Sequence, residues 1–312
     1  MPSTKLVKQR IRSVKNTAQI TKAMEVVSAT KMRHAQEFAL RARPYAIASL
    51  EMLRGLLLKT TDLPDLLREH SRVNAKLILV VTSDKGLAGS LNANVLRKAD
   101  AWIRECRIRN TPFIILAVGK KAKEYADRQQ GSLCGAFVGF GDVATLFETS
   151  PIADMIVQGF EAESWGTCDV VYTHFRTTLS QEAVLRRVLP VTRAGIEEIV
   201  RGILPEHGKY AELPHGDLAV SRYAFEYAYE PSPHEILDWL VPELLRMHVH
   251  HIILESNASE HSARMVAMKH ATDNAKELVS DLTLTYNKVR QAGITRELTE
   301  ITAGREALEN NY

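Results

Sequence analysis

Ala271-Thr-Asp-Asn-Ala275-Lys-Glu-Leu278-Val-Ser-Asp-Leu282-Thr-Leu-Thr285-Tyr-Asn-Lys-Val289-Arg-Gln-Ala292 sets the architecture of the whole chain. Its small and apolar positions, Ala271, Ala275, Leu278, Leu282, Thr285, Val289 and Ala292, alternate steps of four and three, and the stripe resumes at Leu298, Ile301 and Leu308. That is a coiled-coil seam. Nothing interrupts the helical pattern from Glu243 until Gly293, so the segment to Leu308 predicts one helix roughly 100 Å long at 1.5 Å per residue, several times the radius of a compact domain of this size. Such a rod projects from its own domain and needs a partner. Ala and Thr at the seam allow close approach but bury little apolar area, so surroundings must complete its stability.

The partner is at the other end of the chain. Residues 4–58 read as a first long helix, capped by Ser3 or Thr4 and interrupted only by Pro44 and Gly55. Val7, Ile11, Val14 and Ala18 form its stripe, continued by Ile20, Met24 and Val27 and then by Ala35, Phe38, Ala42 and Tyr45. Between residues 1 and 54 there are eleven Lys or Arg against three Glu, whereas from Glu255 to Tyr312 seven basic residues face nine acidic ones. A basic helix beside a slightly acidic one suits an antiparallel pair.

The middle of the chain changes period. Lys76–Val81, Phe113–Val118 and Asp169–Thr173 are β-branched runs of the kind buried in parallel sheets, with helical patterns at Ala93–Ile108, Lys120–Arg128 and Asp142–Ser164. The order βαβαβ predicts a Rossmann-like sheet, to which Thr177–Val191 and Arg222–Tyr229 are candidates for further strands. Residues 59–75 read as a connector, 193–221 as a Gly- and Pro-rich loop, and Ser232–His234 as the start of the last helical region. The fold class is therefore α/β: a long antiparallel two-helix coiled coil from the two termini, residues 1–58 and 232–312, with a central Rossmann-like domain over 70–230.

Chemistry is harder to find. Ser83-Asp-Lys-Gly-Leu-Ala-Gly-Ser90 sits where phosphate loops occur, after a strand and before a helix, but it has neither GxxxxGK[ST] nor GxGxxG spacing and reads as a turn and cap. Val138-Gly-Phe-Gly-Asp142 has two glycines but no strand before and helix after it in the right register with a third glycine. His248, His250 and His251 lack an HExxH pattern and read as packing or surface residues. Asp84, Asp142 and Asp169 stand beside strands, yet no Ser, Cys or His joins them in a catalytic arrangement. Cys106, Cys134 and Cys168 form no ligand or disulfide pattern, which fits a reducing compartment. No apolar run approaches the roughly 20 residues of a membrane span.

Several long motifs then resemble one family. Ile20-Thr-Lys-Ala-Met-Glu-Val-Val27 with Lys31-Met-Arg33, Ser259-Glu-His-Ser-Ala-Arg-Met-Val-Ala-Met-Lys269 with Ala271-Thr-Asp-Asn274, and Tyr286-Asn-Lys-Val-Arg-Gln-Ala292 with Ile294-Thr-Arg-Glu-Leu-Thr-Glu-Ile301 are similar to the terminal signatures of the gamma subunit of the rotary F-type ATP synthase. Ser83-Asp-Lys-Gly-Leu-Ala-Gly-Ser-Leu-Asn92 and Tyr229-Glu-Pro231 resemble its central motifs, with Ala88 and Ser90 where the family has Cys and Gly. The resemblance implies a non-catalytic rotor shaft with no cofactor or metal. Its partners are three alpha and three beta subunits around one copy, the epsilon subunit and the membrane c-ring. Proton or sodium flow turns it, and its location is peripheral, on the cytoplasmic face of the bacterial inner membrane. Carried over residue by residue, Lys22, Met24, Arg290, Gln291, Thr295 and Glu297 are rotor–stator contacts, and Phe225, Glu226 and Tyr227 belong to the foot near the c-ring. Two other classes remain on the residues alone: a nucleic-acid or scaffold protein using the basic helix, and a nucleotide-binding enzyme built on the sheet.

Overall fold

A computed structural model describes residues 4–41, 48, 52, 53, 55, 56, 63–68, 70, 75–129, 133–141, 144–191 and 229–309. The chain divides into two units, Met1–Val27 with Met265–Tyr312, and Ser28–Arg264.

The terminal unit is built from the first part of helix α1 (Thr4–Arg41) and the last part of helix α5 (Pro233–Glu309). Val7, Thr21, Met268, Thr272 and Ala275 are its buried residues. Thr21 and Thr272 are joined Oγ1 to Oγ1 at 2.7 Å, while Thr272 Oγ1 also donates to the Met268 carbonyl at 2.8 Å. Threonine at the seam thus lets two backbones approach closely and then satisfies its own hydroxyl. Burial fades along α5: Leu282, Tyr286 and Val289 are half-buried, and Ile294 to Arg305 are all exposed. Gly293 lies inside α5, and a Cβ placed there meets nothing within 4 Å, so no close approach calls for glycine at this position.

The unit of residues 28–264 is a three-layer α/β/α structure. Its sheet runs β3-β2-β1-β4-β5, from β1 (Lys76–Val81), β2 (Phe113–Val118), β3 (Leu133–Phe137), β4 (Thr167–Phe175) and β5 (Gln181–Leu189). The first four are parallel, and β5 adds antiparallel to β4. Alternation along β1 divides the core: Ile78 and Val80 face helices α2 (Leu91–Ile108) and α3 (Lys120–Ala126), whereas Leu77, Leu79 and Val81 face α4 (Leu146–Glu161) and the first part of α5. On that second face Ile152, Ile156 and Phe160 of α4 meet Leu237, Val241, Leu245, Val249 and Ile252 of α5.

The expected strands 76–81 and 113–118 are β1 and β2 residue for residue, and 169–173 lies inside β4. Three expectations are corrected. A strand, β3, does precede Val138-Gly-Phe-Gly. The helix expected over 142–164 starts only at Leu146, because Thr145 closes a capping box with Glu148 and so fixes the first turn. The first helix is one element only from Thr4 to Arg41; Ala48, Met52, Leu53, Gly55 and Leu56 are helical again, and the other residues of 42–58 lie outside the described residues. The last helix starts at Pro233, inside the expected window: Ser232 Oγ accepts from Glu235 N at 3.3 Å and donates to Glu235 Oε1 at 2.9 Å, and proline tolerates the first helical position because its missing N–H has no helical partner there. Pro242 lies within this helix, flanked by the buried Leu240, Val241 and Leu245. The possible strand 222–229 and the loop 193–221 lie outside the described residues, apart from Tyr229.

Candidate partner-contact site

The candidate contact residues fall in two places on the terminal unit. Lys22 and Met24 are on α1, Lys22 exposed with its ammonium paired to Glu25 Oε1 at 2.9 Å, and Met24 half-buried. Arg290, Gln291, Thr295 and Glu297 are all exposed within two to three turns of α5. The Arg290 guanidinium lies 6.0 Å from the Tyr286 ring centroid, and Thr295 Oγ1 donates to the Gln291 carbonyl at 3.0 Å. Measured along α5 from Thr272, which binds the residue next to Lys22, Arg290 is about 27 Å away at 1.5 Å per residue. The fold therefore groups the four C-terminal residues with one another and keeps them apart from Lys22 and Met24. Phe225, Glu226 and Tyr227 lie outside the described residues.

Around these positions both helices present apolar residues without a cover. Leu6, Ile20, Val26 and Val27 on α1, and Leu278, Leu284, Ile294, Leu298 and Ile301 on α5, are each between 43% and 69% exposed. Lys5, Lys8, Arg10, Arg12, Lys15 and Arg33 are also exposed, so α1 offers cations and apolar groups together. Such a surface suits protein partners with acidic and apolar patches better than a duplex, whose backbone needs cations but no aliphatic stripe.

In the 28–264 unit the loop after β1 is internally satisfied. Asp84 accepts from Lys120 N and Gly139 N, both at 2.8 Å, so one carboxylate spans the starts of two neighbouring segments. Ser83 N donates to Asn92 Oδ1 at 3.0 Å and Asn92 Nδ2 to Ser83 Oγ at 2.7 Å. Gly89, at φ +60°, takes the left-handed turn that a Cβ would disfavour. The turn-and-cap reading of this stretch stands, and the carboxylate occupies donors an anion would use. Asp169 is likewise structural: buried beneath the sheet, it accepts from Trp102 Nε1 at 2.9 Å and from Arg187 Nε at 2.6 Å.

In an open parallel sheet the ligand crevice lies beyond the carboxyl ends of the two strands whose connections leave in opposite directions, here β1 and β4. Side chains of α5 fill it. Ser259 Oγ donates to the Thr173 carbonyl at 3.0 Å, and Ser262 Oγ donates to that of Thr178 at 2.7 Å and accepts from Gln181 Nε2 at 3.2 Å. Arg264 donates from Nε and Nη2 to the Gly86 carbonyl at 3.3 and 3.2 Å and pairs with Glu260. Glu255 accepts from Phe175 N at 3.3 Å and pairs with His174. Sequence reasoning quoted Ser259, Ser262 and Arg264 only as part of a motif; their available signal was a run of small and charged residues on a helix otherwise buried by aliphatics.

His248, His250 and His251 of α5 are packing residues. His248 is buried, and burial first, then His251 and Arg186, push its pKa down to about 3; burial also lowers that of His250, which is bonded to Thr149 Oγ1 at 3.0 Å. The folded protein keeps His248 neutral where the unfolded chain takes up a proton near pH 6.5, so this contribution is whole above that pH and declines as pH falls towards 3. The expected loss at pH 5 is about 2 kcal/mol relative to pH 8. Thermal melts at both pH values check it, with His248→Leu expected to flatten the difference. Among the described residues no group of His, Cys, Asp and Glu can hold a metal, and no helix is long and apolar enough to cross a membrane.

The family model for ATP synthase matches residues 3–308. The ATP synthase gamma chain of Roseiflexus castenholzii is 41% identical over 310 residues, covering 99% of each chain, and that of Herpetosiphon aurantiacus is 40% identical over 317 residues with the same coverage. Among solved structures, a chain of the Euglena gracilis mitochondrial ATP synthase OSCP/F1/c-ring assembly aligns with a TM-score of 0.62 over 98% of this chain and 94% of that one, at 19% identity. A chain of the Tetrahymena thermophila mitochondrial ATP synthase central stalk and c-ring aligns with a TM-score of 0.55 over 81% and 99%, at 23% identity.

Proposed function

This chain belongs to the ATP synthase gamma-chain family, and from that premise we propose that it is the central rotor shaft, turned by ion flow through the c-ring and driving the catalytic subunits through their cycle. It is a non-catalytic subunit; ATP is made and hydrolysed in the beta subunits. It joins the membrane only as part of the complex.

The observation that carries the reading is the uncovered apolar stripe on both terminal helices, ending in an α5 segment from Ile294 to Arg305 that is exposed throughout. A helix of this length with aliphatic side chains in water is stable only when a surrounding surface covers them. A ring of three alpha and three beta subunits supplies that surface. The exposed cations of α1, Lys22 among them, face acidic segments of the beta subunits, with the half-buried Met24 beside them; Arg290, Gln291, Thr295 and Glu297 make polar contacts higher on the shaft. Phe225, Glu226 and Tyr227 lie at the foot near the c-ring, with the epsilon subunit alongside. The residue spans 1–58, 70–230 and 232–312 serve as shaft helix, globular domain and shaft helix. The setting is the cytoplasmic face of a bacterial inner membrane.

Co-expression with alpha and beta subunits tests this directly. The expected product contains one copy of this chain per three of each; a chain purified free of both, or bound to DNA with steep salt dependence, overturns the reading. Within the complex, Met24→Lys adds a cation next to Glu25 in the chain and two residues from Lys22, and is expected to reduce ATP-driven ion pumping more than hydrolysis, because it strengthens one rotational position against the others. An unchanged ratio of pumping to hydrolysis removes Met24 from the contact.

A further inference from the structure

Helix α5 changes how it is held as it runs along the 28–264 unit. From Leu237 to Leu254 its buried side chains are dominated by aliphatics packed in the core. From Glu255 to Arg264 the buried residues are Glu255, Ser256, Ser259, His261, Ser262 and Arg264, with Ala258 the only apolar one. The two kinds of contact resist different motions. Apolar burial opposes separation but is non-directional, so a helix can twist a few degrees about its axis at little cost. Hydrogen bonds are short-ranged and angular. At a side-chain radius of about 5 Å, a twist of about 10° carries an atom about 0.9 Å, enough to take the Ser262–Thr178 bond out of range when the movement lies along it.

The bonds also pull from different sides. Ser259 and Ser262 are tied to Thr173, Thr178 and Gln181 at the end of β4 and the start of β5, while Arg264 is tied to Gly86 in the loop after β1. Rotation that shortens one set lengthens the other. Glu255, one turn earlier, adds Phe175 N and His174. The carbonyl acceptors are those of Thr173 in β4, Thr178 in the turn that joins β4 to β5 and Gly86 in the loop after β1, so the bonds tie the helix to the carboxyl end of the sheet and its loops.

We propose that Glu255, Ser259, Ser262 and Arg264 form a torsional socket: they seat α5 in the crevice between the β1 and β4 ends and fix its azimuth, so that twist carried along the helix enters the sheet there. They act on rotation as positioning residues. The inference rests on the rotor-shaft reading, and its test separates the two.

Ser259→Ala with Ser262→Ala removes three of the bonds without adding volume, and the variant is assembled into the complete ATP synthase beside the parent. With the alpha and beta ring immobilised and a probe attached to the 28–264 unit, angular fluctuations of the probe report torsional stiffness. The expected result is at least a twofold fall in stiffness, with unloaded ATP hydrolysis unchanged and the ratio of ions pumped to ATP hydrolysed reduced against an opposing ion gradient. Stiffness and pumping ratio equal to the parent's, in a complex that assembles, overturn the socket while leaving the shaft reading intact; a lower melting temperature alone counts as the same negative result. Failure of the parent chain itself to assemble overturns the shaft reading. Gln181→Leu, which deletes the amide that donates to Ser262 and to the Thr177 and Thr178 carbonyls of the β4–β5 turn, repeats the measurement should the double variant not fold, with a smaller fall in stiffness expected and no fall overturning the socket.

Discussion

Gly119→Ala is expected to destabilise the 28–264 unit by about 4 kcal/mol or more, read as a fall in the urea midpoint of the purified chain. Gly119 closes β2 at φ +90°, and a Cβ there would stand 2.1 Å from the Thr82 carbonyl oxygen and 2.7 Å from its carbon. The obstacle is backbone, and it is held on several sides. Thr82 N donates to the Val118 carbonyl at 2.9 Å, Thr82 Oγ1 accepts from Ala122 N at 2.7 Å, and Gly119 N donates to the Phe137 carbonyl at 2.8 Å. Relief therefore requires opening the seam between β1, β2 and β3, on top of the 1–2 kcal/mol that a non-glycine residue incurs in this backbone region. A midpoint within error of the parent's shows that the seam opens at no cost.

Arg187→Met is the second large effect, expected at about 3 kcal/mol. Half-exposed Arg187 neutralises the Asp169 carboxylate, which is 5% exposed and also holds the Trp102 indole N–H. Removing the cation leaves the charge under the sheet with one neutral donor. Replacing both members, Asp169→Leu with Arg187→Met, is expected to cost less than Arg187→Met alone, since no charge then remains buried and only the indole N–H loses its partner. Chemical denaturation of the two variants and Asp169→Leu gives the coupling. A double variant less stable than Arg187→Met shows instead that the Trp102–Asp169 bond outweighs the ion pair.

How much of this was readable in the chain depends on what each residue has to satisfy. Strands β1 and β2 were legible to the residue because a strand buried on both faces must be continuously apolar. The edge strand β3, Leu133-Cys-Gly-Ala-Phe137, is short and only partly buried and has a glycine at its centre, and it contains no β-branched residue, so its sequence carries little strand signal even though its burial alternates. The start of α4 hides in the reciprocal bond of Thr145 and Glu148, a signal present in the sequence but outvoted by the longer apolar pattern. The coiled-coil seam was readable in spacing only in part: Val7 and Ala275 of the expected stripes are buried, but Ile20, Val27, Leu278, Thr285 and Ala292 are exposed, and a hydrogen bond between the helices is made by Thr21 and Thr272, which lie outside those stripes. The candidate contact residues were not readable, because Lys22, Arg290 and Gln291 are solvent-facing side chains on regular helices and nothing in spacing separates them from any other. They came from resemblance alone. The residues in the β1–β4 crevice were harder to read for a different reason: the run of small and charged residues is visible, but the partners of Ser259, Ser262 and Arg264 include backbone carbonyls, which leave no trace in a sequence.

The bond between Thr21 and Thr272 joins residues 251 positions apart. At synthesis rates of about 5–20 residues per second, α1 leaves the ribosome roughly 13–50 s before the seam that covers it exists. During that interval Val7, Ile11, Val14 and Ala18 form an amphipathic basic helix with nothing to pair against, while the sheet, whose strands are close in sequence, can already assemble. The apolar stripe of the first turns thus stays without its seam partner until the last segment of the chain has been made.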